Sequence, residues 1–228
     1  SEAELEFEAE AETDALDLPS YAEATGGAGQ PPIEMHCYHV GKSQKHTVVR
    51  DATKTQDLYF LQHPFKWSGK WDDTLFRERE DGEPVGKITK GNGLKDTFEV
   101  MLHSDGVPVT CKHHGFINWT REFTPPKSDQ SYCWVADSKI KHALDYSLIP
   151  AEQAKGAKEQ RTPIARWRTP NWALKKSGTL KISPEYAHWQ ELILLTVLGV
   201  AERARETQTA TNASVASSSG ASAAIAVS

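Results

Sequence analysis

Gly41-Lys42-Ser43 has the residue types of a phosphate-binding loop. Such a loop needs a glycine five residues before its Gly-Lys, and this chain has His36 there, so the backbone cannot wrap a phosphate. His36, Cys37 and His39, and further on Cys111, His113 and His114, are metal-ligand types. Zinc takes four converging ligands, usually as Cys-x-x-Cys pairs or spaced histidines, and neither group has that spacing. On an extended strand His113 and His114 would point to opposite faces, which suits turn or core roles. No metal or other cofactor is expected. A Gly-x-Ser-x-Gly nucleophile turn is missing from the sequence. Asp72-Asp73 and the pair Glu78 and Glu80 suit exposed strand ends as well as acid–base work. No catalytic residue is assigned, and the chain is not expected to be an enzyme.

Two constellations suit binding better. Basic residues recur at Lys139 and Lys141, at Arg166 and Arg168, and at Lys175, Lys176 and Lys181. Gathered on one face they would form a surface for anionic phospholipid, each well-placed cation contributing about 1 kcal/mol near such a membrane. Nucleic acid would ask for a stronger basic excess and is not expected as a partner. Near the start, Leu18-Pro19-Ser20-Tyr21 resembles the Leu-Pro-x-Tyr form of the motif read by WW domains. A polyproline-II segment enters an aromatic groove there, with Leu18, Pro19 and Tyr21 as the contact residues. The partner so implied is a WW-containing ubiquitin ligase of the HECT type. Seven tryptophans are read mainly as core, since large aromatics fill the space inside small barrels.

The elements that must position these residues lie between two tails. The chain has 228 residues and a formal net charge of −5. Nine acidic residues and no Lys or Arg fall within the first 30, which leaves 22 acidic and 26 basic residues and a mildly basic body. Residues 1–33 combine self-repulsion with few large apolar side chains, so they cannot offset their ordering entropy and are expected to be disordered. Residues 207–228 carry no charged side chain and are mostly Ala, Ser and Thr, so disorder is expected there too. Three cysteines and no signal-peptide pattern fit a reducing, cytoplasmic setting. The body, 34–206, is long enough to bury roughly 70% of its unfolded surface without staples.

Within the body, short alternating runs predict strands around 57–61, 74–79, 97–103, 116–123, 131–136, 163–168 and 178–182. Turn signals such as Asp81-Gly82-Glu83-Pro84 and Ser104-Asp105-Gly106 separate them, a rhythm of a sandwich or barrel. One segment differs. Ser183-Pro184-Glu185 starts a helix over 184–206, with Ser183 as N-cap and basic residues in its last turn. Its stretch 192–201 lacks a polar stripe, so it must be buried all round. Ten residues rise about 15 Å, half the ~30 Å of a bilayer core, which favours the interior of a protein.

The unit Thr74-Leu75-Phe76-Arg77-Glu78-Arg79-Glu80-Asp81-Gly82-Glu83-Pro84-Val85-Gly86-Lys87-Ile88 and the helix 184–206 carry a resemblance. Over 34–206 the chain resembles the tubby C-terminal-like superfamily, which includes phospholipid scramblases and LURP-one-related proteins, with a style similar to its fungal members. The resemblance implies a closed antiparallel β-barrel of about twelve strands around a central hydrophobic C-terminal helix. It also implies phosphoinositide binding at a basic face of a peripheral adaptor on the inner side of the plasma membrane. A scramblase-like phospholipid transporter and a small-ligand or catalytic barrel stand as alternatives. The first needs the helix to enter a bilayer, and the second needs a cavity away from the axis.

Overall fold

The computed structural model describes residues 30–41, 46–64, 72–90, 97–113, 120–137, 145–170 and 176–220. The chain divides into the units Ser1–Pro31 and Pro32–Ser228, and the second carries the fold. Alternation dictates its strands. In β6 (Thr97–Leu102) Phe98 and Val100 are buried while Glu99 is exposed. In β3 (Asp57–Gln62) Tyr59 and Leu61 are the buried pair. Period-2 patterning of this kind gives a wall with one apolar and one wet face.

The remaining strands are β1 (Ile33–Val40), β2 (His46–Arg50), β4 (Asp72–Arg77), β5 (Pro84–Lys90) and β7 (Pro108–His113). They continue as β8 (Arg121–Phe123), β9 (Tyr132–Ala136), β10 (Tyr146–Pro150), β11 (Ala165–Arg168) and β12 (Lys176–Ile182). Each pairs antiparallel with its neighbours in sequence, and β12 pairs with β1, so the twelve strands close into an up-and-down barrel. Closure removes the sheet edges that would otherwise invite pairing with other chains.

A 3-10 segment, Pro184–Trp189, leads into α1 (Gln190–Gly220). Leu192, Ile193, Leu194, Leu195, Val197, Leu198 and Val200 are all buried, as a helix apolar on every side requires. The helix lies closest to β5 and β6. A Cβ on Gly199 would come within 2.4 Å of the Phe98 ring, and one on Gly86 within 2.8 Å of Leu195. The far wall is filled by the buried Trp134, Tyr146 and Trp167. Glycine on the near side and large aromatics on the far side thus set the helix off centre.

The expected helix over 184–206 differs from α1 at both ends. Residues 184–189 wind as a 3-10 segment, with a non-helical Tyr186 (φ −103°, ψ 17°) and no side-chain bond from Ser183 to cap it. Tyr186 and Trp189 pack edge-on against Tyr132, at 6.3 and 5.3 Å between ring centres, and this lid of aromatics bends the chain before α1 starts. At the other end α1 continues past residue 206 to Gly220, so the boundary drawn at 207 falls inside the helix. Alanines are good helix formers, and the sequence has no Gly or Pro from 200 until Gly220.

Candidate functional site

Among the described residues, polar side chains gather on the outer wall and at both mouths of the barrel. The outer site is the predicted basic face. Ala165 and Trp167 are core residues of β11, and Leu180 and Ile182 are core residues of β12, so the alternate Arg166, Arg168 and Lys181 belong to the outer surface. Register places Arg166 opposite Lys181 and Arg168 opposite Thr179. Arg168 pairs with Asp137 and lies 3.5 Å from Asp145, and Lys181 lies 3.1 Å from Glu34. The Glu34 carboxyl is held down at about 2, chiefly by its hydrogen bond with His36 and then by Lys181. Lys176 is on β12 by its backbone. Lys139, Lys141 and Lys175 lie outside the described residues, as do Leu18, Pro19 and Tyr21.

Next to this face, β9 and β10 bury their outward residues Cys133, Val135 and Ile149 beneath Ala151 and Ala154. Those alanines belong to a short 3-10 segment, Ala151–Lys155, which closes over the wall. Burial pushes the Cys133 thiol up to about 12, and it raises the Cys111 thiol further.

The mouth where α1 begins, the proximal end, is fastened by polar contacts. Glu191 lies 2.9 Å from Arg77 and accepts from the Tyr59 hydroxyl at 3.3 Å, while Gln190 donates to that hydroxyl at 3.1 Å. Midway along the axis the Trp134 indole donates to Thr196 at 3.0 Å.

The opposite, distal mouth is where sequence reasoning missed a cluster. His39 on β1 faces inward opposite Thr47, Asp73 on β4 opposite Ile88, and Lys90 on β5 opposite Phe98. From α1 come Glu202, Arg203, Arg205 and Glu206. Lys90 pairs with Glu206, and Arg205 lies 3.2 Å from Glu202. Arg203 donates to the Thr97 carbonyl at 3.2 Å, and His63 lies 2.9 Å from Asp73. Arg205 also donates to Nε2 of His39 at 2.6 Å. A bulge in the β1–β12 pairing adds Ser177, which lines a cleft with His39, Thr47, His63, Glu202 and Arg205. The cleft has space for about one water molecule.

Electrostatics there follow from burial. Desolvation raises the Asp73 carboxyl against the pull of His63. It lowers Lys90 to about 8, with Arg203 adding to the effect. It also lowers His39 to about 4, aided by Arg205 and His63. The signal was in the sequence: Asp73 and Lys90 stand two positions from Leu75 and Ile88, on the inward side of their strands.

Among the described residues no group of three His, Cys, Asp or Glu side chains is placed to hold a metal ion. No described helix is long and apolar enough to cross a membrane. The barrel closed around a C-terminal helix is the architecture that the tubby-like resemblance implies. Comparisons with protein-family models, with curated proteins and with solved structures find no match to this chain.

Proposed function

We propose that the chain is a non-enzymatic adaptor that binds anionic phospholipid headgroups, phosphoinositides above all, on the outer wall of β11 and β12. The observation that carries this reading is the register that sets Arg166 beside Lys181, with Arg168 one residue pair away. The barrel axis is taken by α1, so a ligand of headgroup size has only the outside and the mouths to bind. Because Arg168 and Lys181 already face carboxylates, they supply donors more than net charge. The attraction to a membrane then depends on Lys139, Lys141, Lys175 and Lys176. Leu18, Pro19 and Tyr21 serve as the site for a WW-domain ubiquitin ligase, which would bring the ligase to the membrane on the cytoplasmic side.

Flotation of the full chain with vesicles tests the reading. Binding is expected with phosphatidylcholine vesicles containing phosphatidylinositol bisphosphate, and not with phosphatidylcholine alone. It should weaken as salt rises, because the Debye length shrinks to about 3 Å at 1 M. Replacing Lys139, Lys141, Lys175 and Lys176 by Gln should cut binding at least tenfold with the fold intact. Binding that ignores both salt and these four lysines would overturn the proposal.

A further inference from the structure

The apolar run 192–201 of α1 makes few directional contacts, so polar groups at the ends must set how the helix sits in the barrel. At the distal mouth three carboxylates, Asp73, Glu202 and Glu206, stand among three cations, Lys90, Arg203 and Arg205. Side chains paired with one another across a cleft of water size fit a fastening better than a ligand site. One contact in this fastening demands a particular protonation state. Arg205 has only hydrogens to donate, so Nε2 of His39 must accept, and an accepting Nε2 belongs to a neutral ring. The only nitrogen that can take a second proton is therefore the one facing the guanidinium.

We infer that His39 and Arg205 form a proton-sensitive latch, which holds the segment of α1 from Glu202 to Thr207 in the barrel mouth and releases it when His39 is protonated. Other groups around the ring do not relieve the clash. Thr47 of β2 and Ser177 of β12 offer hydroxyls. His63 is a second imidazole on the same side, with Asp73 behind it. Glu202 is already 3.2 Å from Arg205. Lys90 and Arg203 add positive charge next to Glu206, and the buried Arg121 of β8 stands at the same mouth across the barrel. Once protonated, His39 meets cations with no carboxylate of its own to answer it. The apolar run below is untouched by this change, so opening stays local to the distal turn.

The direction in pH follows from linkage. A histidine held neutral at about 4 in the latched state, and returning to 6.5 when released, binds more protons in the open form. The latch is closed above 6.5 and weakens about tenfold per pH unit between 6.5 and 4.

Amide hydrogen exchange of the full chain, corrected for the intrinsic pH dependence, reads the latch at residues 202–207 against 192–198 as an internal reference. Protection at 202–207 is expected to fall at least tenfold between pH 6.5 and pH 5, with 192–198 unchanged. His39→Gln keeps an acceptor for Arg205 and removes the titration, so its protection at 202–207 should be flat over that range. Should that variant fail to fold, the His39 ring resonances of the unmodified chain serve instead, and their midpoint should lie well below 6.5. In Arg205→Gln the midpoint should move up toward 6.5. Flat protection in the unmodified chain, an equal loss in His39→Gln, or a His39 midpoint near 6.5 would each overturn the latch.

Discussion

Thr196 is the single hydroxyl in the apolar run of α1, and its surroundings explain why it is tolerated there. It donates to the Ile193 carbonyl at 2.9 Å and accepts from Trp134 at 3.0 Å, so both groups are satisfied in a dry interior. Thr196→Val keeps the shape and orphans the indole N–H, which should cost about 1–3 kcal/mol of stability. Adding Trp134→Phe should then cost less than it does alone, and a urea-denaturation double-mutant cycle measures the difference. Additive costs would show that the bond contributes nothing. Gly199 makes a second residue-level claim. A methyl there would press on the Phe98 ring, so Gly199→Ala should destabilise by about 1–3 kcal/mol despite the better helix propensity of alanine. Phe98→Leu should recover part of the loss in thermal unfolding, and no recovery would place the strain elsewhere.

Among the elements, legibility depended on how many faces of a strand meet water. The runs at 57–61 and 97–103 match β3 and β6 closely because their alternate residues contrast in polarity, whereas 131–136 matches β9 through its aromatic and β-branched residues although both of its faces are buried. β10 was missed: Tyr146, Ser147, Leu148, Ile149 and Pro150 are all buried, since a 3-10 segment covers the outer face and erases the alternation. β1 was missed for another reason, the histidines that fall on both of its faces. His36 is buried among Glu34 and Thr179 on the outer side, and His39 points into the mouth. The basic face was legible as a list of cations, but their acids were not. Asp137, Asp145 and Glu34 are distant in sequence and meet Arg168 and Lys181 only once the strands pair. The β1–β12 seam carries a testable acid limb. Glu34 is held at about 2 when folded against 4.5 when free, so its stabilisation is complete above 4.5 and is lost as pH falls from 4.5 to 2. Denaturant titrations at stepped pH should show that limb in the unmodified chain and a shallower one in Glu34→Gln. Equal slopes in the two would remove Glu34 as its source.

At the scale of the whole molecule the wall and the helix are one cooperative unit, because neither has an interior without the other. Ending the chain at Trp189 removes every buried residue of α1, from Leu192 to Ala204, and should abolish cooperative unfolding rather than lower its midpoint. A truncated chain that still melts in a sharp calorimetric transition would show that the barrel can collapse on itself. Cys37, Cys111 and Cys133 provide an independent reading of the same unit, since all three thiols are buried. A thiol reagent should modify none of them in the native protein, and all three together at the global unfolding rate. Early modification of Cys133 alone would reveal that the 151–155 cover opens by itself.

Ring closure between the first and last strands has a consequence for how the protein is made. The pair His36 and Thr179, 143 residues apart, cannot meet until nearly the whole barrel has left the ribosome, and α1 follows later still. At about 5–20 residues per second the interval from β1 to the distal turn of α1 is roughly 10–30 s. Throughout it the nascent chain is an open sheet with two bare edges and an uncovered apolar face. The turn of α1 that fastens the distal mouth emerges only after every strand of the wall, so the seal is made after the ring it closes.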